Sequence, residues 1–155
     1  MNNVVTVENG GLTWWRPTVF GPDQEAFMRL TSINPSGRHH TLALKVNGNR
    51  GQHGAILVSY DAVNQQVVVE ALVPGRGFLT VGTFLAVLQP GDTLGAWAKA
   101  DGTVEVFVRC ESIGAADTRT VARNRYVNTG GRIGVWFHNT AGAAFDDFGG
   151  GTLTP

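Results

Sequence analysis

The amino-acid sequence predicts an all-β fold, a sandwich or a barrel. Hydrophobic residues recur with period two, turn residues separate the runs at intervals of roughly ten residues, and no stretch carries a convincing helical period. Residues 4–7, 26–30, 41–46 and 55–60 alternate as strands, and so do residues 66–73, 78–82, 93–98 and 103–108. Between them stand Asn9-Gly10-Gly11, Pro35-Ser36-Gly37, Asn47-Gly48-Asn49, Pro74-Gly75 and Pro90-Gly91-Asp92. These residue types supply the special φ values that turns need. Asp61-Ala62-Val63-Asn64 is expected to turn between paired strands. Asp101-Gly102, set between two alternating runs, predicts a tight hairpin turn with positive φ. The glycine turn Gly130-Gly131 opens a strand through Asn139, and Ala144 to Gly151 forms its neighbour, so these two close the sandwich. Residues 115–127 are polar, carry Arg119, Arg123 and Arg125, and are expected to form a long surface loop.

Composition bounds the function. The chain has 155 residues, enough for one domain with a real core. It is 43% hydrophobic and 15% charged, so Ser, Thr, Asn, Gln and Gly must carry much of the surface. The 12 basic and 12 acidic residues cancel, which argues against a nucleic-acid partner and against a polybasic membrane patch. No stretch approaches the ~20 apolar residues of a membrane span. Met1-Asn2-Asn3 lacks the basic start of a secretory leader. The ending Leu153-Thr154-Pro155 reads as a linker start, so residues 1–155 are expected to be one domain of a longer protein.

Individual side chains divide between structure and chemistry. Cys110 is the one cysteine. It excludes an internal disulfide and reads as an incidental strand-end residue. Trp97 and Trp136 lie inside alternating runs and are expected in the core. Trp14 and Trp15 are adjacent, so one is expected to face inward and the other outward, where a flat ring can stack on a sugar. His39 and His40 point to opposite faces of a strand and do not chelate together, and His53 and His138 are isolated. Asp146 and Asp147 are candidate Ca²⁺ ligands, since calcium takes oxygen donors. Set against that, one of them bonding turn N–H groups while Phe145 and Phe148 pack is the favoured reading. Asp92 and Asp101 are turn formers for the same reason. No other cofactor is expected.

The ordered set of segments resembles the concanavalin A-like lectin/glucanase superfamily, in particular laminin-G-like jelly rolls of bacterial or phage type. It consists of Trp14-Trp15 with Phe20 to Ala26, Leu42 to Lys45, Val58 to Asp61, Pro90 to Ala96, Ala100 to Val106, and the two closing strands. The resemblance implies a two-sheet antiparallel β-sandwich of jelly-roll topology. It also implies a preceding strand beside the closing one, which this chain lacks, so the closing strand is expected to keep an open edge. Where the resemblance implies Asn-Gly after Val108, the chain has Arg109-Cys110, and a different turn type is expected there.

Glycanases of this superfamily carry three acids on one strand. The nearest match, Asp23-Gln24-Glu25, keeps two on one face and lacks the third, which disfavours a glycoside hydrolase. The expected function is therefore a non-enzymatic recognition or adhesion module that binds a carbohydrate. Its candidate contacts are Trp14, Trp15, Tyr60, Arg76 and His138. The alternative is a structural or assembly domain of a phage tail or surface protein, pairing with itself or accepting a strand from a partner; a glycanase remnant is third. Each reading places the chain outside the cell, at a cell surface or on a virion.

Overall fold

The computed structural model describes residues 4–154, with the main chain alone at Arg50. Met1-Asn2-Asn3 and Pro155 lie outside the described residues. Two antiparallel sheets of six strands face each other. Sheet A has the order β1-β12-β3-β8-β9-β10. Its strands are β1 (Val5–Thr6), β3 (Gln24–Ser32), β8 (Thr93–Ala98), β9 (Thr103–Val108), β10 (Glu111–Asp117) and β12 (Ala144–Thr152). Sheet B has the order β2-β11-β4-β5-β6-β7. It is built from β2 (Gly11–Trp14), β4 (His39–Asn47), β5 (Gly54–Asp61), β6 (Gln66–Val73), β7 (Gly77–Leu85) and β11 (Arg132–His138).

Alternation decides which side chains meet between the sheets. In β3, Gln24, Ala26, Met28 and Leu30 are buried, while Phe27 and Arg29 are exposed. In β6, Val67, Val69, Ala71 and Val73 face inward. Leu94, Val104 and Val106 from sheet A and Leu42, Leu44, Ile56 and Val58 from sheet B complete a core whose members are fully buried. A second, smaller cluster lies on the outer face of sheet B. There Ala43, Val46, Ala55 and Leu57 are covered by Leu12, Leu72 and Trp136.

Four expectations of the chain trace change. The two closing strands are not neighbours: β11 lies between β2 and β4 in sheet B, and β12 between β1 and β3 in sheet A. The closing strand β12 is not left open at its start, because Val5 and Thr6 of β1 pair with Phe145 and Ala144. Arg109-Cys110 makes the same two-residue hairpin that Asn-Gly makes, with both residues at positive φ, 51° and 64°. Pairing of β9 with β10 outweighs the steric cost of two side chains in that region. The segment 115–127 is not a surface loop. It completes β10, forms the short helix α1 (Arg119–Ala122), and buries Thr118 and Tyr126. Its polarity misleads because Tyr126 anchors it: the phenol O–H donates to the carbonyls of Ala55 (3.0 Å) and Leu72. Burial pushes that phenol up to about 12.

One polar hub joins the sheets beneath this segment. Gln24, fully buried, donates to Gly131 O at 2.9 Å and accepts from Lys45 N–H at 2.8 Å. Lys45 has φ 49° and turns its side chain inward, where Nζ donates to Lys99 O at 2.7 Å and Tyr126 O at 2.8 Å. Burial pulls this ammonium down to about 8, against the opposing pull of Asp23 and Asp101. Gly131, at φ 150°, is required here, since a Cβ would lie 2.7 Å from the carbonyl carbon of Lys45.

Candidate functional site

The outer face of sheet A carries the arrangement richest in recognition chemistry. Strand register places Gly149, Phe27, Gly95 and Phe107 in one row across β12, β3, β8 and β9. The next row is Gly151, Glu25, Trp97 and Glu105. On the other side Asp146 pairs with Arg29, and Arg29 with Thr93. Gly95 leaves the middle of its row, between Phe27 and Phe107, without a side chain. Phe27 and Phe107 rise on either side of it, and Trp97 stands two residues along.

The result is a depression of about 460 Å³, lined by Phe27, Trp97 and Phe107 with Glu25, Arg29, Cys110 and Asp147. Trp97 and Phe107 pack with ring centroids 4.7 Å apart. The indole N–H of Trp97 donates to Glu25 Oε2 at 3.3 Å. Arg29 Nε donates to Gly91 O at 3.2 Å. Phe27 and Trp97 are 38% and 37% exposed, so flat aromatic surface is available within an otherwise polar strand face. An aromatic wall beside a few carboxylates and one guanidinium can hold a polyhydroxylated ring, apolar face on the wall and hydroxyls on the charged groups.

The candidates named from sequence are scattered by comparison. Trp14 and Trp15 flank a separate groove of about 360 Å³ between β1 and β2, together with Val5, Thr13 and Phe148. Trp15 is 54% exposed, and the Arg16 guanidinium lies over the Trp14 ring at 5.8 Å. Arg76 uses Nη1 to hold Val121 O at 2.9 Å, tying α1 to the β6–β7 turn. Tyr60 does not reach the surface. It is buried in the core, where its hydroxyl accepts from Leu88 N–H at 3.2 Å.

His138 lies exposed on the outer face of sheet B. It is not isolated: it pairs with His39 across β11 and β4, at 5.7 Å between rings, and both rings lie against Trp136. Burial and the neighbouring His138 hold His39 below the usual imidazole range. His40, as expected, faces the other way. It is buried, accepting from Asn34 N–H at Nε2 and bonding Tyr60 O through Nδ1.

Trp97 and Trp136 are corrected from core to outer faces. A tryptophan in a strand reads as core on composition alone. The period, however, already set Trp97 with Thr93 and Gly95 against Leu94, Ala96 and Ala98. The same reading puts Phe27 between Glu25 and Arg29, and Phe107 between Glu105 and Arg109. Aromatics on the polar side of three strands were the available signal.

Asp147, at φ 48°, sits in a bulge of β12 and lines the depression, while Asp146 Oδ1 is buried with no hydrogen-bond partner. Among the described residues no third acid, His or Cys joins them in a metal-binding cluster. These side chains alone do not make a closed calcium site, which takes six to eight oxygens. Asp23, from the glycanase comparison, spends its carboxylate on Ala100 N–H at 2.8 Å.

No protein-family model matches the chain, and no curated protein matches it in sequence. Solved structures do match. A carbohydrate binding module, CBM66 from Bacillus subtilis, superposes with a TM-score of 0.66 at 12% identity, over 96% of this chain and 86% of that one. Sheep galectin-11 gives 0.58 at 10% identity, over 94% and 99%. An alginate lyase of polysaccharide lyase family 7 gives 0.55 at 9% identity, over 88% and 66%. Binding proteins and an enzyme therefore share the architecture, and identities this low speak to architecture only. The fold of this chain, shared with these structures, is a two-sheet antiparallel β-sandwich of jelly-roll type.

Proposed function

We propose that the chain is a non-enzymatic glycan-binding module that holds a saccharide on the outer face of sheet A. The observation that supports it is the Gly95 floor between Phe27 and Phe107, with Trp97 at its end. A saccharide ring fits such a gap with its C–H face against the aromatic rings. The similarity to a carbohydrate binding module and a galectin favours the same ligand class. Such a module meets its ligand outside the cell or at its surface.

Asp23 spends its carboxylate on Ala100 N–H at 2.8 Å, which removes the acid that would pair with Glu25 as in a glycosidase and favours binding over hydrolysis.

The test is a glycan array followed by calorimetry on wild type and Gly95→Val. A Cβ at 95 meets only ordinary contacts, 3.5 Å to Phe107 Cβ and 3.8 Å to Phe27 Cβ, so the backbone admits a side chain there, and melting curves of Gly95→Val and Gly95→Ala check that each variant folds. Binding by wild type and its loss in Gly95→Val is the expected result. Wild-type binding untouched by Gly95→Val would move the site elsewhere, with the Trp14–Trp15 groove first in line.

A further inference from the structure

Resting on that reading, we infer that the depression discriminates by charge and takes neutral saccharides in preference to acidic ones. The inventory of charge around the floor is short. Glu25 stands at the Trp97 end, Asp147 at the β12 rim and Arg29 beside Thr93. Two carboxylates face one guanidinium. That guanidinium is already engaged, its Nε donating to Gly91 O at 3.2 Å. The next cation along the rim, Arg109, is tied away from the site: its Nη1 bonds Asp92 Oδ2 at 3.0 Å and Val87 O at 3.3 Å. Lys99 is paired with Glu105 at 3.1 Å in the same way.

The donor and acceptor count leads to the same conclusion. An ionised carboxylate accepts hydrogen bonds and donates none. Glu25 keeps lone pairs free beyond the one bond it takes from Trp97 Nε1, and Asp147 projects from a bulge at the rim. Sugar hydroxyls are donors and satisfy both groups. The carboxylate or sulfate group of an acidic sugar is acceptor-only, brings a third negative charge toward the two already there, and finds one partly used cation. Like charges brought together in this way are a source of selectivity against the wrong ligand. The aromatic walls do not discriminate, since the C–H faces of neutral and acidic sugars stack alike.

The experiment compares matched pairs by calorimetry at low salt: lactose with sialyllactose, and galactan with galacturonan oligosaccharides. It is repeated for Glu25→Gln/Asp147→Asn. The expected result is neutral members bound about tenfold or more above their acidic partners, with the gap shrinking in the double variant and in high salt. Equal binding of acidic and neutral partners, or a gap unchanged by the double variant, overturns the inference and leaves glycan binding standing. No binding by any neutral or acidic member overturns both. Cys110, exposed at the rim, offers an independent readout: a bulky maleimide there blocks the neutral sugar if it occupies this depression, and leaves it bound if it does not.

Discussion

Trp97 and Glu25 lie directly opposite each other on β8 and β3, and the indole N–H donates to the Glu25 carboxylate at 3.3 Å. The bond orients the indole against Phe107 and holds the exposed aromatic face in one attitude. Order of this kind lowers the entropy lost when a ligand lands on it.

Trp97→Ala is therefore expected to weaken saccharide binding by about 1–2 kcal/mol, roughly a fivefold to thirtyfold rise in Kd. Trp97→Phe keeps a ring, loses the N–H, and should fall between. Calorimetric titration with the best ligand of an array measures both. The exposure of Trp97 means melting temperature changes little. A large drop in melting temperature with unchanged affinity would instead make Trp97 a packing residue.

Alkaline stability reports the buried hub. Lys45 titrates near 8 in the folded chain and near its ordinary 10.5 when unfolded. Between those values the folded state has lost a proton that the unfolded state keeps, so stability rises with pH across that window. Tyr126 works in the opposite direction. Its folded value is about 12 against an ordinary 10, so stability falls as pH climbs above 10, where only the unfolded chain ionises. Denaturant titrations at pH 7, 9.5 and 11 are expected to show a rise and then a plateau, because above pH 10 the Tyr126 loss offsets what remains of the Lys45 gain. Lys45→Met should abolish the rise and uncover the Tyr126 fall; a rise that persists in Lys45→Met would assign it to another group.

Gly131→Ala is expected to destabilise by about 1–3 kcal/mol, the cost of a strained residue in this φ region. The clash with the Lys45 main chain adds to it. Chemical denaturation measures the change. An unaffected midpoint would show that the β4–β11 bulge can shift to make room.

Cys110→Gly acts the other way. Cys110 holds φ 64° in the β9–β10 hairpin, and glycine adopts that conformation without the Cβ penalty. A gain of about 0.5–1 kcal/mol is expected, read as a higher melting temperature. A loss would mean that the thiol contributes packing at the rim of the depression.

Chelation distinguishes the two readings of Asp146 and Asp147. Saccharide binding through aromatic rings and Glu25 requires no ion, so EDTA is expected to leave the calorimetric affinity unchanged. Loss of binding on chelation and its return with Ca²⁺ would recast both aspartates as ligands.

Most of the sandwich was legible because its signals are local. Period two in residues 66–73, Asp61 as a turn former accepting from Val63 and Asn64, and glycines at hairpins all act within a few residues. What escaped depends on distant partners. The short strand at Gly11–Trp14 alternates over four residues only, too few to read from sequence, and is a strand because β11 lies beside it. Tyr126 looks solvated until Ala55 and Leu72 supply acceptors for it. The candidate site was half visible. Face membership of Phe27, Trp97 and Phe107 follows from alternation, but their gathering around Gly95 follows from register, which no single strand encodes.

Strand β3 carries two independent messages in one stretch of chain. Its even positions, Gln24, Ala26, Met28 and Leu30, are committed to the interior, and its odd positions, Glu25, Phe27 and Arg29, to the outside. β8 and β9 are written the same way. Mutation can therefore rewrite the odd letters without disturbing the even ones. A library varying positions 25, 27, 29, 93, 95, 97 and 107 would explore new specificities on a scaffold whose folding information lies in the residues between them.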